Sequence, residues 1–392
     1  MLEYFRQLFY DNSNKFRQER YDEKIVAFVL SAVMAAACAG CGSVNGESSK
    51  TQSGSTAATG EATVATAAPE TLPNSVKKQI DQALSTAEFQ GVMQISRGGS
   101  VIYQFVKGTD DNGQPLTIDA SLPIASVSKQ FCAAGVMLLS EKNKLSVDDT
   151  LDKYYPEYKF AKQLTLKNLL TMSSGIPDYY EKFMDGSALG TIEADNVKKI
   201  KEAIFGEELY FEPGDDYAYS NSNYFLLADI IEQVSGVPYH EYIRTNIFEP
   251  LGMTSSGFVE EISGNPAWAS ALSNTEAMNE TTHPALAKGA GDIVTNAADM
   301  DKWMSGLSGG KVISAESFRQ MTEDVNENSY DNYGYGLNSM PYDGVGHVGN
   351  IPPHFYAVDY LNTDKDVYLF AATNNLRGSS DVQQKVLDAL FQ

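Results

Sequence analysis

The order of strand-like and helix-like segments along the 392 residues constrains the fold more than any single motif. Near the start, "GVMQISRGGSVIYQFVKG" (residues 91–108) predicts two strands joined by a hairpin at Arg97-Gly98-Gly99-Ser100. From Ser126 to about Leu307, apolar residues recur three and four positions apart, and several segments stop at glycine. This middle part is predicted to be mostly helical. The chain then returns to strand-like segments, "HFYAVDYLN" and "DVYLFAATN", before a last helix.

Strands at both ends of a chain that is helical in the middle must meet if they are to form one sheet. We therefore predict an α+β fold, in which an antiparallel sheet built from N- and C-terminal strands is flanked by helices, beside a mostly helical middle region. The apolar content of 43% is enough to bury a sizeable core. A crevice is expected between the sheet and the helical part, which is a usual place for a functional site.

An uncharged stretch, "IVAFVLSAVMAAACAGCGS" (residues 25–43), precedes the predicted fold. Its apolar part is about 16 residues long, short of the roughly 20 that span a bilayer, and it ends in small residues as a secretory signal does. The small residues before Cys41 resemble the lipobox of bacterial lipoproteins, in which the cysteine is lipidated. We expect an exported protein, lipid-anchored through Cys41 at the extracytoplasmic face of the cell membrane. Plain secretion and a retained membrane anchor are the alternatives.

These patterns divide the chain into three segments. Residues 1–41 form the signal and lipobox segment, and residues 42–74 form a flexible, low-complexity tether of Ser, Thr, Ala, Gly and Glu. Residues 75–392 form the folded domain, in which Cys132 is the single cysteine. Because one cysteine cannot form an intrachain disulfide, the hydrophobic core must stabilise this domain, and Cys132 is expected to be buried.

The charge of the protein excludes some partners. A formal net charge of −22 repels nucleic acid, so no nucleic-acid partner is expected. The spacing of His240, His283 and His354 is unlike that of metal ligands, so neither a metal nor a cofactor is expected. We expect a monomer.

Ser-x-x-Lys, a pattern that can supply a nucleophile and its base, occurs at Ser75, Ser126 and Ser308. Of the three serines, only Ser126 opens a predicted helix with a clear apolar face. Positions i and i+3 share a helix face, so Lys129 is expected beside the Ser126 hydroxyl. A partly desolvated lysine can be neutral enough to accept the serine proton. On this evidence alone, a catalytic pair and an ordinary helix start with a surface lysine both remain open.

Two further motifs follow in chain order. Tyr219-Ser220-Asn221 stands at the start of a predicted helix, and His347-Val348-Gly349 is the single Lys/His-x-Gly sequence of the chain. The order Ser-x-x-Lys, Tyr-x-Asn, Lys/His-x-Gly resembles the serine β-lactamase and penicillin-binding protein superfamily, in its class C β-lactamase branch with related D,D-peptidases and esterases. The resemblance covers roughly residues 75 to 390 and extends to "LTLKNLLTMSSGIPDYY", "FEPGDDYAYSN", "IFEPLGM" and "KGAGDIVTNAADMDKWMSGL".

The resemblance implies a β-lactamase/transpeptidase-like fold and a catalytic role for three matched residues. Ser126 would attack a carbonyl carbon and form an acyl-enzyme. Lys129 and Tyr219 would share the work of base and proton relay. The backbone N–H groups of Ser126 and Asn350 would form the oxyanion hole, where the loss of one donor typically costs on the order of 100- to 1000-fold in rate.

The resemblance also implies substrate contacts, with one departure from the family pattern. Asn221 would hold the amide side chain of the substrate, while His347 and Gly349 would line the opposite wall beside Asn350. Class C β-lactamases carry Lys-Thr-Gly where this chain has His-Val-Gly. An imidazole titrates near neutrality and Val348 has no hydroxyl, so the grip on a substrate carboxylate is weakened, and efficient β-lactamase activity is not expected.

The residues and the resemblance together predict an exported, membrane-tethered serine hydrolase. It would act through an acyl-enzyme on D-amino-acid peptides or related amides, as a D-alanyl-D-alanine carboxypeptidase does. The expected partner is a small peptide, ester or β-lactam, and peptidoglycan is the natural source of such bonds in a bacterial envelope. Two alternatives are a carboxylic ester hydrolase on the same fold and a penicillin-binding sensor that acylates without turnover.

Overall fold

The computed structural model describes residues 71–110, 113–183, 189–191, 193–264, 284–351, 355–374 and 382–392. The predicted signal segment, Cys41 and most of the tether lie outside the described residues, so these assignments stay predictions. Within the described ranges, no helix has the length and apolar character needed to cross a membrane.

The main sheet joins the two ends of the described chain. Its strands are β1 (Gly91–Arg97), β2 (Ser100–Lys107), β6 (Asn338–Met340), β7 (Gly344–Ile351), β8 (Phe355–Asn362) and β9 (Val367–Thr373). They lie in the order β2-β1-β9-β8-β7-β6, and every neighbouring pair is antiparallel. The N-terminal strand β1 pairs with the C-terminal strand β9, for example Val92 with Ala372. This pairing is the predicted meeting of the chain ends.

A tight hairpin joins β1 to β2, as the sequence predicts. Arg97 pairs with Ser100, and the two residues between them, Gly98 and Gly99, have φ values of 58° and 72°. Two successive residues with positive φ match the twist of the flanking strands, and glycine adopts this conformation without a steric penalty.

The described residues contain twelve α-helices, most of them in the middle of the chain. They are α1 (Asn74–Thr86), α2 (Lys129–Glu141), α3 (Leu166–Leu170), α4 (Tyr180–Phe183), α5 (Glu193–Phe205), α6 (Asn221–Ser235), α7 (Tyr239–Ile243), α8 (Glu249–Leu251), α9 (Pro284–Ala287), α10 (Ala297–Ser308), α11 (Ala315–Glu323) and α12 (Val382–Phe391). A small antiparallel sheet in the order β3-β5-β4 is formed by β3 (Leu122–Pro123), β4 (Gly257–Phe258) and β5 (Ile293–Thr295). The α+β prediction is confirmed.

The main sheet is covered on both faces. One face packs on α1 and α12 through a cluster that includes Ile80, Leu84, Val386 and Leu387. The other face packs on the helical middle in a larger cluster. Strands β8 and β9 are buried at every position because helices lie over both faces.

Helix α2 runs through the larger cluster, and residues 129–139 are buried on all sides. A helix buried all round is apolar over most of its surface, and the buried span 129–139 is apolar except for Lys129 and Gln130. Its Phe131 ring stacks on Trp303 of α10 at a centroid separation of 3.9 Å. This packing fixes the position of α2, and with it the start of the helix.

The structure differs from the prediction at the start of α2. Ser126 lies in a 3₁₀ turn, Ala125–Ser128, and the α-helix begins at Lys129. The turn follows β3 through Ala125, whose φ of 47° lies in the left-handed region and bends the chain sharply. A 3₁₀ turn aligns residues i and i+3, so Ser126 and Lys129 still share one face.

Strand β7 approaches this turn closely at Gly349. A Cβ atom at this position would lie 2.1 Å from the Ile124 carbonyl oxygen and 3.1 Å from the Ala125 Cβ. The first contact is too short for a real Cβ and the second is tight, so the sheet can reach the Ser126 turn because position 349 has no side chain. Gly349, predicted to line the substrate cleft, therefore also sets the distance between the two walls.

We predict that Gly349→Ala destabilises the protein by about 1–3 kcal/mol, because the added methyl group forces β7 away from the Ser126 turn. Urea unfolding of the purified full chain measures the change. Gly190→Ala is the matched control, since no atom of the described residues lies within 4 Å of a Cβ there. The control is expected to change the unfolding free energy by less than about 0.5 kcal/mol. Equal stability of the two variants would contradict the close approach.

Candidate active site

The Lys129 amine is buried next to Ser126. Lys129 is 0% exposed, and its Nζ donates to Ser126 Oγ at 3.1 Å, to Asn221 Oδ1 at 2.9 Å and to the Ala290 carbonyl oxygen at 2.6 Å. An ammonium group has three hydrogens, so it satisfies all three acceptors. After loss of one proton, two hydrogens can stay on Asn221 and Ala290 while the nitrogen lone pair faces Ser126 Oγ. The arrangement therefore suits a base for the serine hydroxyl.

The surroundings of Lys129 lower its pKa toward neutral pH. Burial disfavours the charged form and lowers its pKa to about 7, although the negative charges of Asp178 and Asp292 and the Cys132 thiol act in the opposite direction. The rings of Tyr219 and Tyr224 lie 4.9 Å and 5.7 Å from Nζ. At neutral pH a substantial fraction of Lys129 is therefore the free amine.

Asn221, the first residue of α6, links Lys129 to a carboxylate. Its Oδ1 accepts from Lys129, and its Nδ2 donates to Asp178 Oδ2 at 2.8 Å. The Asn221 backbone N–H also donates to this oxygen, at 3.2 Å. These contacts fix the rotamer of Asn221. Burial raises the pKa of Asp178, against the lowering effect of its hydrogen bonds and of Lys129.

Tyr219 stands at the open side of the group. The residue is 38% exposed, but desolvation of its hydroxyl raises the pKa above the ordinary tyrosine value, despite a hydrogen bond with Ser126 that lowers it. Tyr219 is therefore a neutral phenol at physiological pH, able to donate its hydrogen. Its ring packs edge-on against Tyr333, at a centroid separation of 6.1 Å.

The pKa of His347 is far below that of an ordinary histidine. It is 3% exposed, and burial together with the charge of Lys129 lowers its pKa to about 3, although a hydrogen bond to the Val348 carbonyl acts in the opposite direction. Its Nδ1 lies 2.7 Å from the Val348 carbonyl oxygen and its Nε2 lies 3.1 Å from the Tyr333 hydroxyl. A neutral ring with its hydrogen on Nδ1 satisfies both contacts. The expectation that this imidazole titrates near neutrality is therefore wrong.

The other predicted residues of β7 alternate along the strand. Val348 is 38% exposed and Asn350 is exposed, whereas His347 and Gly349 are buried. Strand β7 contacts the 3₁₀ turn that carries Ser126, and Gly349, the residue before Asn350, lies against Ile124 and Ala125. The roles of Asn350 and of the other matched residues stay predictions.

Sequence reasoning missed two groups near Lys129: the Ala290 carbonyl, which accepts from its amine, and Asp178, which accepts from Asn221. Asp178 lies in "GIPDYY" and the Ala290 carbonyl in "KGAGD". Both segments contribute to the family resemblance, but neither is one of the three motifs to which it assigns a role. A backbone carbonyl has no signature in sequence. Within the described part of the chain, no cluster of three or more His, Cys, Asp or Glu side chains could hold a metal ion.

A buried carboxyl group, which no sequence pattern predicted, also ties α2 to β7. Both oxygens of Asp359 accept from Gln130 Nε2, at 2.7 and 2.8 Å, and Oδ1 accepts from the His347 backbone N–H at 2.8 Å. Burial raises the pKa of Asp359 to about 7, although these hydrogen bonds act against the rise. Gln130 Oε1 accepts in turn from Trp303. The network joins the residue after Lys129 to the strand that forms the opposite wall.

Residues of all three motifs thus lie together: Asn221 accepts from Lys129, and the His347 ring lies 6.3 Å from the Tyr219 ring. The model of the Beta-lactamase family matches residues 76–391. The chain belongs to the Beta-lactamase family. It is 31% identical over 325 residues to a protein described as penicillin-binding protein PbpX of Bacillus subtilis (strain 168), covering 80% of this chain and 78% of that protein.

Two further relatives extend the comparison. The chain is 24% identical to the teichoic acid D-alanine hydrolase of Staphylococcus aureus (strain MRSA252), over 79% of this chain and 76% of that protein. The solved structure of D-amino acid amidase from Ochrobactrum anthropi SV3 is similar, with a TM-score of 0.69 and 25% identity over 80% of this chain and 98% of that one. This member of the Beta-lactamase family is therefore a serine hydrolase, as predicted, on a β-lactamase and penicillin-binding protein fold.

For a Beta-lactamase family member with Lys129 as base, we predict that kcat/KM rises as pH increases through about 7, because the free amine forms over this range. The measurement is the pH profile for a p-nitrophenyl ester, a substrate that does not itself titrate there. Lys129→Arg, which stays protonated throughout, is expected to lose about 100-fold or more in kcat/KM. A limb near pH 10, or an active Arg variant, would exclude Lys129 as the base.

Proposed function

We propose that the protein hydrolyses D-aminoacyl amide and peptide bonds through an acyl-enzyme on Ser126. The observation that carries the proposal is the contact between the buried Lys129 amine and Ser126 Oγ, at 3.1 Å. The family and the named relatives, an amidase of D-amino acids and a hydrolase of D-alanine on teichoic acid, support the choice of acyl group.

In this proposal, Ser126 Oγ attacks the substrate carbonyl carbon while its proton moves to Lys129 Nζ. The oxyanion accepts hydrogen bonds from the backbone N–H groups of Ser126 and Asn350. Tyr219 gives its proton to the departing nitrogen, and Lys129 passes the proton taken from Ser126 to Tyr219, so both residues return to their starting states and the leaving group gains one hydrogen. Water then attacks the acyl-enzyme by the reverse proton route, releasing the acid and restoring the Ser126 hydroxyl.

The chemistry of the β7 wall favours leaving groups without a carboxylate. A carboxylate beside His347 and Val348 would meet a neutral imidazole, whose two nitrogens are already paired, and an isopropyl group. Neither group offers a charge or a hydroxyl hydrogen bond. This wall also supports hydrolysis of carboxylic esters as a second candidate function, because an alcohol leaving group needs no cation.

We predict that N-acetyl-D-Ala-D-alaninamide is hydrolysed at least about tenfold faster than N-acetyl-D-Ala-D-Ala, since the two differ only in the terminal carboxylate. Product analysis by chromatography measures both rates on the purified full chain, and Ser126→Ala is the control expected to abolish turnover. Faster hydrolysis of the free acid would contradict the argument from β7. Turnover by the Ser126→Ala variant would contradict the proposed mechanism itself.

A companion panel separates the two candidate functions and the sensor. D-alanine p-nitroanilide, its L-isomer and D-alanine p-nitrophenyl ester distinguish an amidase selective for D-residues from an esterase. A fluorescent penicillin that labels Ser126 durably, without hydrolysis of any other substrate, would favour a sensor.

We further propose that the protein is exported and held at the membrane through lipid on Cys41. The support is the uncharged stretch that ends in small residues before Cys41, followed by the low-complexity tether. Such a tether allows the hydrolase domain to reach bonds away from the bilayer surface.

For the anchor, we predict that the protein expressed in a Gram-positive host partitions into the detergent phase, and that Cys41→Ala shifts it to the aqueous phase. Loss of the lipid chains removes the membrane affinity. Cys38→Ala is the matched control and is expected to stay in the detergent phase. Detergent partitioning of Cys41→Ala would show that the anchor is something other than lipid on this cysteine.

A further inference from the structure

His240 lies between two carboxylates, outside the group formed by the family motifs. It belongs to α7, with Nε2 2.9 Å from Asp292 Oδ2 and Nδ1 2.8 Å from Glu260 Oε1. An ionised carboxylate only accepts hydrogen bonds, so an imidazole that contacts one through each nitrogen is best satisfied when both nitrogens carry hydrogen. The ring also stacks on Phe258, at a centroid separation of 3.9 Å. The geometry thus favours an imidazolium held in one orientation.

Asp292 needs that cation because it is deeply buried. It is 0% exposed, and its Oδ2 accepts from His240 and from the Gly289 backbone N–H at 2.9 Å. Its other oxygen, Oδ1, has no hydrogen-bond partner among the described residues. A buried carboxylate with incomplete hydrogen bonding is costly unless a positive charge lies beside it.

The segment from Lys288 to Asp292 connects this ion pair to the base. Its central residue, Ala290, accepts from Lys129 Nζ at 2.6 Å. Lys288, at the other end of the segment, is buried and pairs with Glu232 of α6 at 2.8 Å. Gly289 is closely packed: a Cβ there would lie 2.6 Å from the Tyr224 carbonyl oxygen. An ion pair with one buried member therefore lies on each side of the carbonyl that holds Lys129.

From these contacts we propose that His240 is a positioning residue for Lys129: its positive charge compensates Asp292 and fixes the Lys288–Asp292 segment, whose Ala290 carbonyl orients the amine. The inference rests on the proposed function, because it takes Lys129 as the base. His240 is not assigned a contact with Ser126 or the substrate, and it acts only through Asp292 and Ala290.

The pKa values of His240 and Lys129 depend on the charged and titratable groups that surround each of them. The groups that face His240 or surround its pair are Asp292, Glu260, Lys288, Glu232, Arg244 and Glu261. The titratable groups that face Lys129 are Ser126, Asp178, Cys132, Asp292, Tyr219, Tyr224 and His347. Asp292 belongs to both sets, so it couples the two sites electrostatically.

The pKa of His240 agrees with this geometry. Burial lowers it, but the hydrogen bonds and negative charges of Asp292 and Glu260 outweigh burial and raise it to about 9. His240 is therefore protonated throughout the range near pH 7 in which Lys129 titrates. The positive charge is constant while the base changes state.

The test is the acid limb of kcat/KM for a p-nitrophenyl ester, measured on the full chain. His240→Gln retains a donor for Asp292 and removes the positive charge. The uncompensated negative charge of Asp292 then favours protonated Lys129, so the limb is expected to move up by about one pH unit. The double variant His240→Gln/Asp292→Asn removes both charges, and its limb is expected to return to within about 0.3 pH unit of the unmodified protein.

Lys302→Gln is the matched control, because it also takes the cation from a buried aspartate. Lys302 Nζ lies 2.8 Å from Oδ1 of Asp299, which is 1% exposed. Within the described part of the chain, none of the hydrogen bonds of this pair involves Ala290: Asp299 binds Ser255, Ser256 and the Asn296 side chain, and Lys302 binds the Gly252 carbonyl. The control is expected to leave the limb in place.

The outcomes separate this inference from the proposed function. An unmoved limb in a folded His240→Gln, a double variant that fails to restore it, or an equal shift in Lys302→Gln would overturn the role of His240 alone. If His240→Gln does not fold, Asp292→Asn and the double variant decide. Asp292→Asn is expected to lower the limb, because a negative charge is lost, and an unmoved limb would overturn the proposal. Absence of any limb near pH 7 in the unmodified protein would instead count against Lys129 as base.

Discussion

The burial of one amine is the constraint on which the rest of the site depends. A lysine that is 0% exposed is tolerated only where its hydrogens meet well-placed acceptors. Here the acceptors come from three separate parts of the chain: the turn before α2, the first residue of α6 and the segment before β5. The helices and both sheets must be in place before the amine is satisfied, so the site forms only with the tertiary fold.

Burial also shifts the pKa values of the groups in this site, lowering those of Lys129 and His347 and raising that of Tyr219. It lowers the pKa of Lys129 to about 7 and that of His347 to about 3, and it raises the pKa of Tyr219 above its ordinary value. Near pH 7, the group therefore holds a lysine that exchanges its proton, a tyrosine that keeps its hydrogen and an imidazole that stays neutral. Groups with separated proton affinities are what acid–base catalysis by one site requires.

The sequence predicted the sheet well, because its information is local. Periodicity of apolar residues, the Gly98-Gly99 turn and the burial of β8 and β9 all follow from short segments. It also predicted the pairing of Ser126 with Lys129, since three residues separate them. It did not reveal the left-handed Ala125 or the 3₁₀ turn, because these arise where β3 must bend into a helix that is already fixed by packing around Phe131.

The contacts of Lys129 show which properties of the site follow from the sequence and which depend on the tertiary structure. Its amino-acid type and its distance in sequence from Ser126 were determined by the sequence alone, as were the family motifs that contain Asn221 and His347. Only the tertiary structure decided that Asn221 and Ala290, which lie 92 and 161 residues further along the chain, hold the amine, and that His347 is neutral. The physical reason is that desolvation and long-range hydrogen bonding depend on which segments enclose a group. A side chain acquires its shifted pKa and its distant partners only when those segments pack around it.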